Sequence, residues 1–322
     1  MTRYITRRLI QMVPLLLGIS FLVFAMINLV PGSPLDRYQN TPGVRRADLE
    51  RISASLGLDD PWYIRYFTWL GNAVRGDFGF SFTNFSPVSG LLADTVPNTL
   101  LLAGSAILFS LILAIPLGVI SAVKRGSLFD NVVTVLSTAF YSIPSLWLGL
   151  MFIIIFAVQF QRWDLPSLPV SGDRTLRGES GILDRAQHLI LPMLTLSLVQ
   201  LALWTRYIRS EMLEVIRLDF VRTAQSKGLR DRVVLMRHAF RNAVLPLITL
   251  VGLNIPDLFA GAVIVENVFG WNGVGRLTVN ALQSNNYSVA MAAVMMLAIL
   301  TVLGNLIADI LYAVFDPRVR FD

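Results

Sequence analysis

Residues 100–123 read LLLAGSAILFSLILAIPLGVISAV, twenty-four consecutive positions without an ionisable side chain. A helix rising about 1.5 Å per residue needs roughly 20 residues to cross about 30 Å of hydrocarbon. This stretch is long enough, and similar runs stand at about 9–30, 132–160, 189–208, 244–265 and 288–315. The run at 189–208 is the least apolar, because Thr205 and Arg206 sit in its last turn. In lipid only a helix satisfies its own backbone hydrogen bonds, so each run is predicted helical. The expected fold class is an all-α integral membrane protein with six transmembrane helices.

Composition supports this. Of 322 residues 54% are hydrophobic and 15% charged, against about a quarter charged in soluble domains. The chain has no cysteine, which excludes a disulfide scaffold, a thiolate metal site and a cysteine nucleophile. The first run follows Arg3, Arg7 and Arg8 as a signal peptide would. It is too long for a signal core, however, and ends in Val30-Pro31-Gly32-Ser33-Pro34 rather than a small-x-small site. It reads as a retained helix.

The net charge of +6 would suit nucleic acid, but its distribution suits a membrane better. With six spans, segments 2–8, 124–131, 206–243 and 316–322 fall on one side and hold 16 of the 27 Lys and Arg. Short positive loops stay in the cytoplasm, so both termini are expected inside, with no nucleic-acid partner. The expected organisation is an N-terminal transmembrane helix (1–30), an extracytoplasmic subdomain (31–98), a five-helix core (99–315) with a cytoplasmic loop (209–243), and a tail (316–322). Within 31–98, short helices are expected near 45–56 and 61–70, with Trp62, Tyr63, Tyr66, Phe67 and Trp69 as an interface belt.

Residues 217–243 are the most informative. Asp219 is a candidate N-cap for a short helix running to Lys227, with Gly228 as its stop. Leu218, Val221 and Ala224 form an apolar stripe, and Arg222 and Lys227 lie off it. Ala224 and Gly228, both small, would let a partner approach closely. Either a docking helix or a basic loop held at the surface by charge fits these residues. Among acids within or bordering the spans, Asp257 follows Pro256, where a kink would free carbonyls, and it is read equally as pore-lining or as a structural partner. Glu266 opens Glu-Asn-Val-Phe-Gly-Trp-Asn-Gly-Val-Gly-Arg, in which Phe269, Gly273 and Gly275 belong to a candidate gate. Asp309 reads as structural.

The segment resembles the EAA loop of ABC importer permeases, in the form found in the dipeptide/oligopeptide/nickel permease family. Arg222-Thr223-Ala224, Gly228, Asn242 and Leu245-Pro246 carry the resemblance. Arg222 stands where the broader EAA pattern has glutamate, and Gly228 lies farther from the proline than in sugar permeases. Both departures are usual in the peptide branch. Further matches are Arg75-Gly76-Asp77-Phe78-Gly79, Thr95-Val96-Pro97-Asn98-Thr99, Ser142-Ile143-Pro144-Ser145 with Trp147-Leu148-Gly149, and Asp316-Pro317-Arg318.

The resemblance implies a type I importer permease of the bacterial inner membrane. Its partners would be a second homologous permease, two cytoplasmic ATPase subunits and an extracytoplasmic solute-binding protein. Coupling would run through Asp219, Val221, Arg222, Thr223, Ala224, Ser226, Lys227, Gly228 and Leu229. The solute would be a di- or oligopeptide; nickel chelates, glutathione or another small organic solute are alternatives. No Gly-x-x-x-x-Gly-Lys-Ser/Thr occurs, so ATP and Mg would be bound by the partners.

Other classes fit less well. An intramembrane enzyme would need a nucleophile–base pair or clustered ligands, and His188 and His238 each stand alone. No catalytic or metal residues are expected. An ion-coupled secondary transporter would show related halves or matched broken helices, and no repeat is evident.

Overall fold

The stretch 100–123 is helical throughout, but it is the second part of a longer helix. The structure is a computed structural model that describes residues 2–29, 53, 60–175 and 181–315. Its helices are α1 (Thr2–Leu29), α2 (Trp62–Val74), α3 (Val88–Val123), α4 (Leu128–Ser142), α5 (Ser145–Ile153) and α6 (Ile182–Val215). They continue with α7 (Asp219–Ser226), α8 (Leu245–Leu253), α9 (Ile255–Val268), α10 (Val274–Gln283) and α11 (Tyr287–Phe315). Among the described residues there is no strand, only an isolated bridge between Phe80 and Pro87. Among the described residues six helical stretches are long and apolar enough to cross a membrane: Ile5–Leu29, Val88–Val123, Ser145–Arg162, Ile182–Val215, Asp231–Leu253 and Tyr287–Leu311. The fifth starts inside the segment 209–243 that was expected to be a loop.

Three boundaries differ from the sequence reading. Helix α3 starts at Val88, so its first turns lie inside the segment 31–98. Asp94, Pro97 and Asn98 made that stretch look like loop. Helix α6 spans 182–215 rather than 189–208. The runs at 132–160 and 244–265 are each interrupted. Ile143 is extended (φ −83°, ψ 124°), as a residue before proline prefers, and α5 starts after Pro144. Its axis continues through a π-turn, Ile154–Gln159. In the fifth run Pro246 and Pro256 each sit in the first turn of a helix. There a missing N–H costs nothing, so each proline opens a new helix and Asn254 marks the break.

The chain forms two compact units, one of residues 1–5, 100–271 and 303–322, the other of 6–99 and 272–302. In the second unit Tyr66 of α2 is buried between Phe21 and Phe24 of α1. Its hydroxyl shares a hydrogen bond of 2.9 Å with Ser20 Oγ, and Arg65 donates to Asn28. The predicted helix near 61–70 is therefore present as α2, and its aromatics grip α1 as well as facing outward. The predicted helix near 45–56 and the Asp316-Pro317-Arg318 match lie outside the described residues, Ser53 apart. Asn98 and Thr99 are buried because they serve a loop. Asn98 donates to the Asn272 carbonyl, and Thr99 accepts from Val274 N–H, both at 2.8 Å.

In the first unit α3, α6 and α7 share one apolar core, which includes Val119, Trp204, Ile208, Met212, Val221 and Leu247. Close helix approach depends on glycine. A Cβ on Gly118 of α3 would lie 2.9 Å from the Thr205 carbonyl of α6. Gly252 of α8 abuts Ala308 of α11, and Gly304 of α11 abuts Ile255. Small residues at such crossings let helices pack where lipid supplies no hydrophobic drive. Ser110 of α3 donates to the Ser197 carbonyl of α6 at 2.8 Å.

Candidate functional site

Two regions of the first unit carry most of the candidate residues, while Gly273 and Gly275 belong to the second unit. The first is α7. Leu218 is its extended N-cap residue (ψ 149°), with no side-chain cap, and Asp219 is the first helical residue. The expectation that Asp219 caps the helix is therefore corrected: its carboxylate points to solvent, 3.8 Å from Arg222. The helix ends at Ser226, one residue early, and Gly228 takes φ +73°. It is the left-handed stop that the sequence suggested.

The apolar stripe is only partly as expected. Val221 and Ala224 are 1% and 5% exposed and pack into the chain's own core, whereas Leu218 is half exposed. Ala224 is therefore not a small residue presented to a partner. It lets α7 seat against the chain's own π-turn Val234–Phe240, which in turn packs on α6. What α7 presents outward is Arg222, Thr223, Gln225, Ser226, Lys227, Gly228 and Leu229. With Lys227 and Arg222 this face is polar and positive, and it is held rigidly by the buried face behind it.

Close to α7 in the chain lies an ion pair that the sequence did not reveal. The Asp130 carboxylate at the start of α4 is 2% exposed. It accepts from Arg209 Nε at 2.6 Å and Nη2 at 2.8 Å, and from Gly126 N–H at 2.9 Å. This two-pronged guanidinium contact, helped by the Gly126 amide, outweighs burial and holds the carboxyl at about 2, below its ordinary 3.8. It ties the 124–130 turn to the C-terminal part of α6, three residues before Met212 of the shared core.

The second region is the break between α8 and α9. Asn254 Nδ2 donates to the Leu250 carbonyl at 2.7 Å, which also accepts from the Asn254 backbone N–H at 3.1 Å. Asp257 follows in the first turn of α9. It is exposed, and it lines a cleft of about 200 Å³ with Tyr141, Ser145, Thr195, Gln200 and Gly261. Of the two readings held open for Asp257, this placement fits a lining position.

Glu266 and Phe269 near the end of α9 are almost fully enclosed. A Cβ on Gly149 would meet the Phe269 ring at 3.2 Å, and the Phe269 carbonyl accepts from Gly172 N–H at 3.0 Å. Gly270 makes the turn at φ +58°. Gly273, an extended N-cap, and Gly275 are buried around the start of α10. Asn272 is the exposed residue of this turn. Asp309 is half-buried in α11.

Residues 114–321 match the family described as binding-protein-dependent transport system inner membrane component. Residues 1–103 match the N-terminal family of the same membrane component. The chain belongs to this family of transport permeases.

As such it is a multi-pass inner-membrane transport component, not an enzyme. Across its whole length the permease is 42% identical to the oligopeptide transport system permease protein AppB of Bacillus subtilis (strain 168), and covers all of it. It is 39% identical to the di/tripeptide transport system permease protein DppB of Pseudomonas aeruginosa (strain UCBPP-PA14), and 36% to the dipeptide transport system permease protein DppB of Escherichia coli (strain K12). Each match covers 99% of both chains.

Sequence reasoning missed Asp130, Arg209 and Gln200. The first two are 79 residues apart, and no local pattern pairs them. Gln200 had a usable signal, since it is an amide in an otherwise apolar stretch, five residues after Thr195.

Proposed function

We propose that this permease forms half of the pore of an ATP-driven, binding-protein-dependent peptide importer. The observation that carries this is its full-length similarity to permeases named for oligopeptide, dipeptide and di/tripeptide transport. The full assembly has a second homologous permease, two cytoplasmic ATPase subunits that bind ATP and Mg, and an extracytoplasmic binding protein that delivers the solute. Both termini lie in the cytoplasm. The 31–98 segment lies outside, and the 209–243 segment inside.

In this reading α7 is the coupling helix. Val221 and Ala224 anchor it, while Arg222, Thr223, Ser226, Lys227, Gly228 and Leu229 meet the ATPase and Asp219 braces Arg222. Tilting of α7 is passed to α6 through the π-turn Val234–Phe240, which packs against both, because a packed core transmits displacement rather than absorbing it. Asp257 lines the path, and Glu266, Phe269, Gly273 and Gly275 frame its outer turn.

The natural absence of cysteine makes a clean test available. In Gln225→Cys, a thiol crosslinker of about 8 Å applied to native membranes should join the chain to a Walker-containing ATPase. ATP with vanadate should change the yield. A product containing only this chain, or none at all from a correctly expressed variant, would remove α7 from the coupling role.

A further inference from the structure

The cleft at the α8–α9 break gathers acceptors, although the hydroxyls of Tyr141 and Ser145 also line it. Asn254 gives one N–H of its amide to the Leu250 carbonyl at 2.7 Å, which leaves Oδ1 as an acceptor beside the second N–H. Thr195 has committed its hydroxyl proton to the Leu191 carbonyl at 2.8 Å, which leaves lone pairs. Gln200 is 7% exposed, and its Oε1 is buried without a hydrogen-bond partner. Asp257 adds a carboxylate. A buried amide oxygen left without a donor destabilises the fold, and an acidic side chain on a lipid-embedded helix calls for water, a partner or a ligand. All four groups ask for donors, and one of them asks for positive charge.

A primary ammonium meets this demand: it brings three N–H donors, no acceptor and one positive charge. Every peptide with a free N-terminus carries this group whatever its side chains. Resting on the peptide reading above, we propose that this cleft holds the α-ammonium group of a peptide during its passage. Asp257 supplies the charge, and Gln200 and Asn254 the neutral acceptors. The contact is to the feature shared by all cargoes, so it leaves side-chain choice elsewhere. A cleft of about 200 Å³ takes an ammonium and one residue, not a whole peptide.

The test uses Ser145, which lines the same cleft and is half-buried. Ser145→Cys is introduced into the full transporter, purified through a tag on this chain, and its alkylation by a small maleimide is timed. Millimolar trialanine should slow labelling at least threefold, and N-acetyl-trialanine should not. The protection should vanish in Asp257→Asn and weaken in Gln200→Leu, with recovery of the complex unchanged in both. Equal protection by the two peptides, or protection that survives Asp257→Asn, overturns the proposal. Methylammonium carries the headgroup without the peptide and so separates the two claims. Protection by methylammonium, with no uptake of trialanine by reconstituted transporter, would sink the peptide reading and leave the ammonium site standing. Uptake of trialanine, with no protection by either amine, would do the reverse.

Discussion

Replacing Asp130 with alanine should destabilise the permease by about 3 kcal/mol. The carboxyl is held at about 2 instead of 3.8. At about 1.4 kcal/mol per pH unit, that places the preference of the folded state for the carboxylate at about 2–3 kcal/mol. Removing one partner of a buried pair costs about 3–5 kcal/mol when the other charge is stranded. Arg209, 28% exposed, can recover part of its hydration, which puts the cost at the lower end. The sign with pH is fixed by the lowered value: the contribution is complete above about pH 4 and is lost as pH falls toward 2. Thermal unfolding of the detergent-solubilised transporter should therefore show Asp130→Ala several degrees below wild type at pH 7. The gap should narrow toward pH 3, where the wild-type carboxylate starts to protonate. Arg209→Ala in the Asp130→Ala background should add little, because the stranded charge is gone. A single variant within 1 °C of wild type at pH 7, or a gap that widens on acidification, would refute the reasoning.

Other substitutions probe the remaining elements. Gly228→Ala places a side chain at φ +73°, with no atom to strike, at about 1 kcal/mol of backbone strain. It should lower transport-coupled ATPase activity several-fold while membrane levels of the chain hold; unchanged coupling would remove the turn from the mechanism. Arg222→Glu reverses a 72% exposed charge. It should weaken ATPase co-purification at low salt without moving the unfolding temperature, since exposed pairs contribute about 1 kcal/mol or less. Gly252→Leu drives a side chain into Ala308 and should cost at least 2 kcal/mol, read as lost protein in the membrane fraction. For orientation, a cysteine at Gly126 should react with a membrane-impermeant maleimide only after the cytoplasmic face is opened, and one at Asn84 should react from the outside.

Much of this architecture could be read in the apolar runs, because lipid leaves a twenty-residue apolar stretch almost no alternative to a helix. The breaks were less legible. Pro256 signalled its kink, but Pro144 and Pro246 lie in runs whose hydropathy stays high across the interruption. The start of α3 was hidden because Asp94, Asn98 and Thr99 are polar. Two of them are buried as partners of the turn at 272–274, a pairing across about 175 residues that composition cannot encode. On α7 the three-residue spacing located the stripe, but periodicity identifies a face and not what covers it. Val221 and Ala224 turn toward the chain's own core beside the turn 234–240, and the outward surface is the polar one. The Asp130–Arg209 pair and the acceptor-lined cleft arise only when α4, α6 and α9 are brought together.

The central claim, peptide import through a heteromeric pore, is tested most directly by uptake into proteoliposomes. The complex that co-purifies with this chain is reconstituted with its binding protein on one side and ATP on the other. Labelled trialanine should accumulate against its gradient only when both are present. Accumulation without ATP, driven instead by a proton or sodium gradient, or uptake by this chain purified alone, would contradict the account.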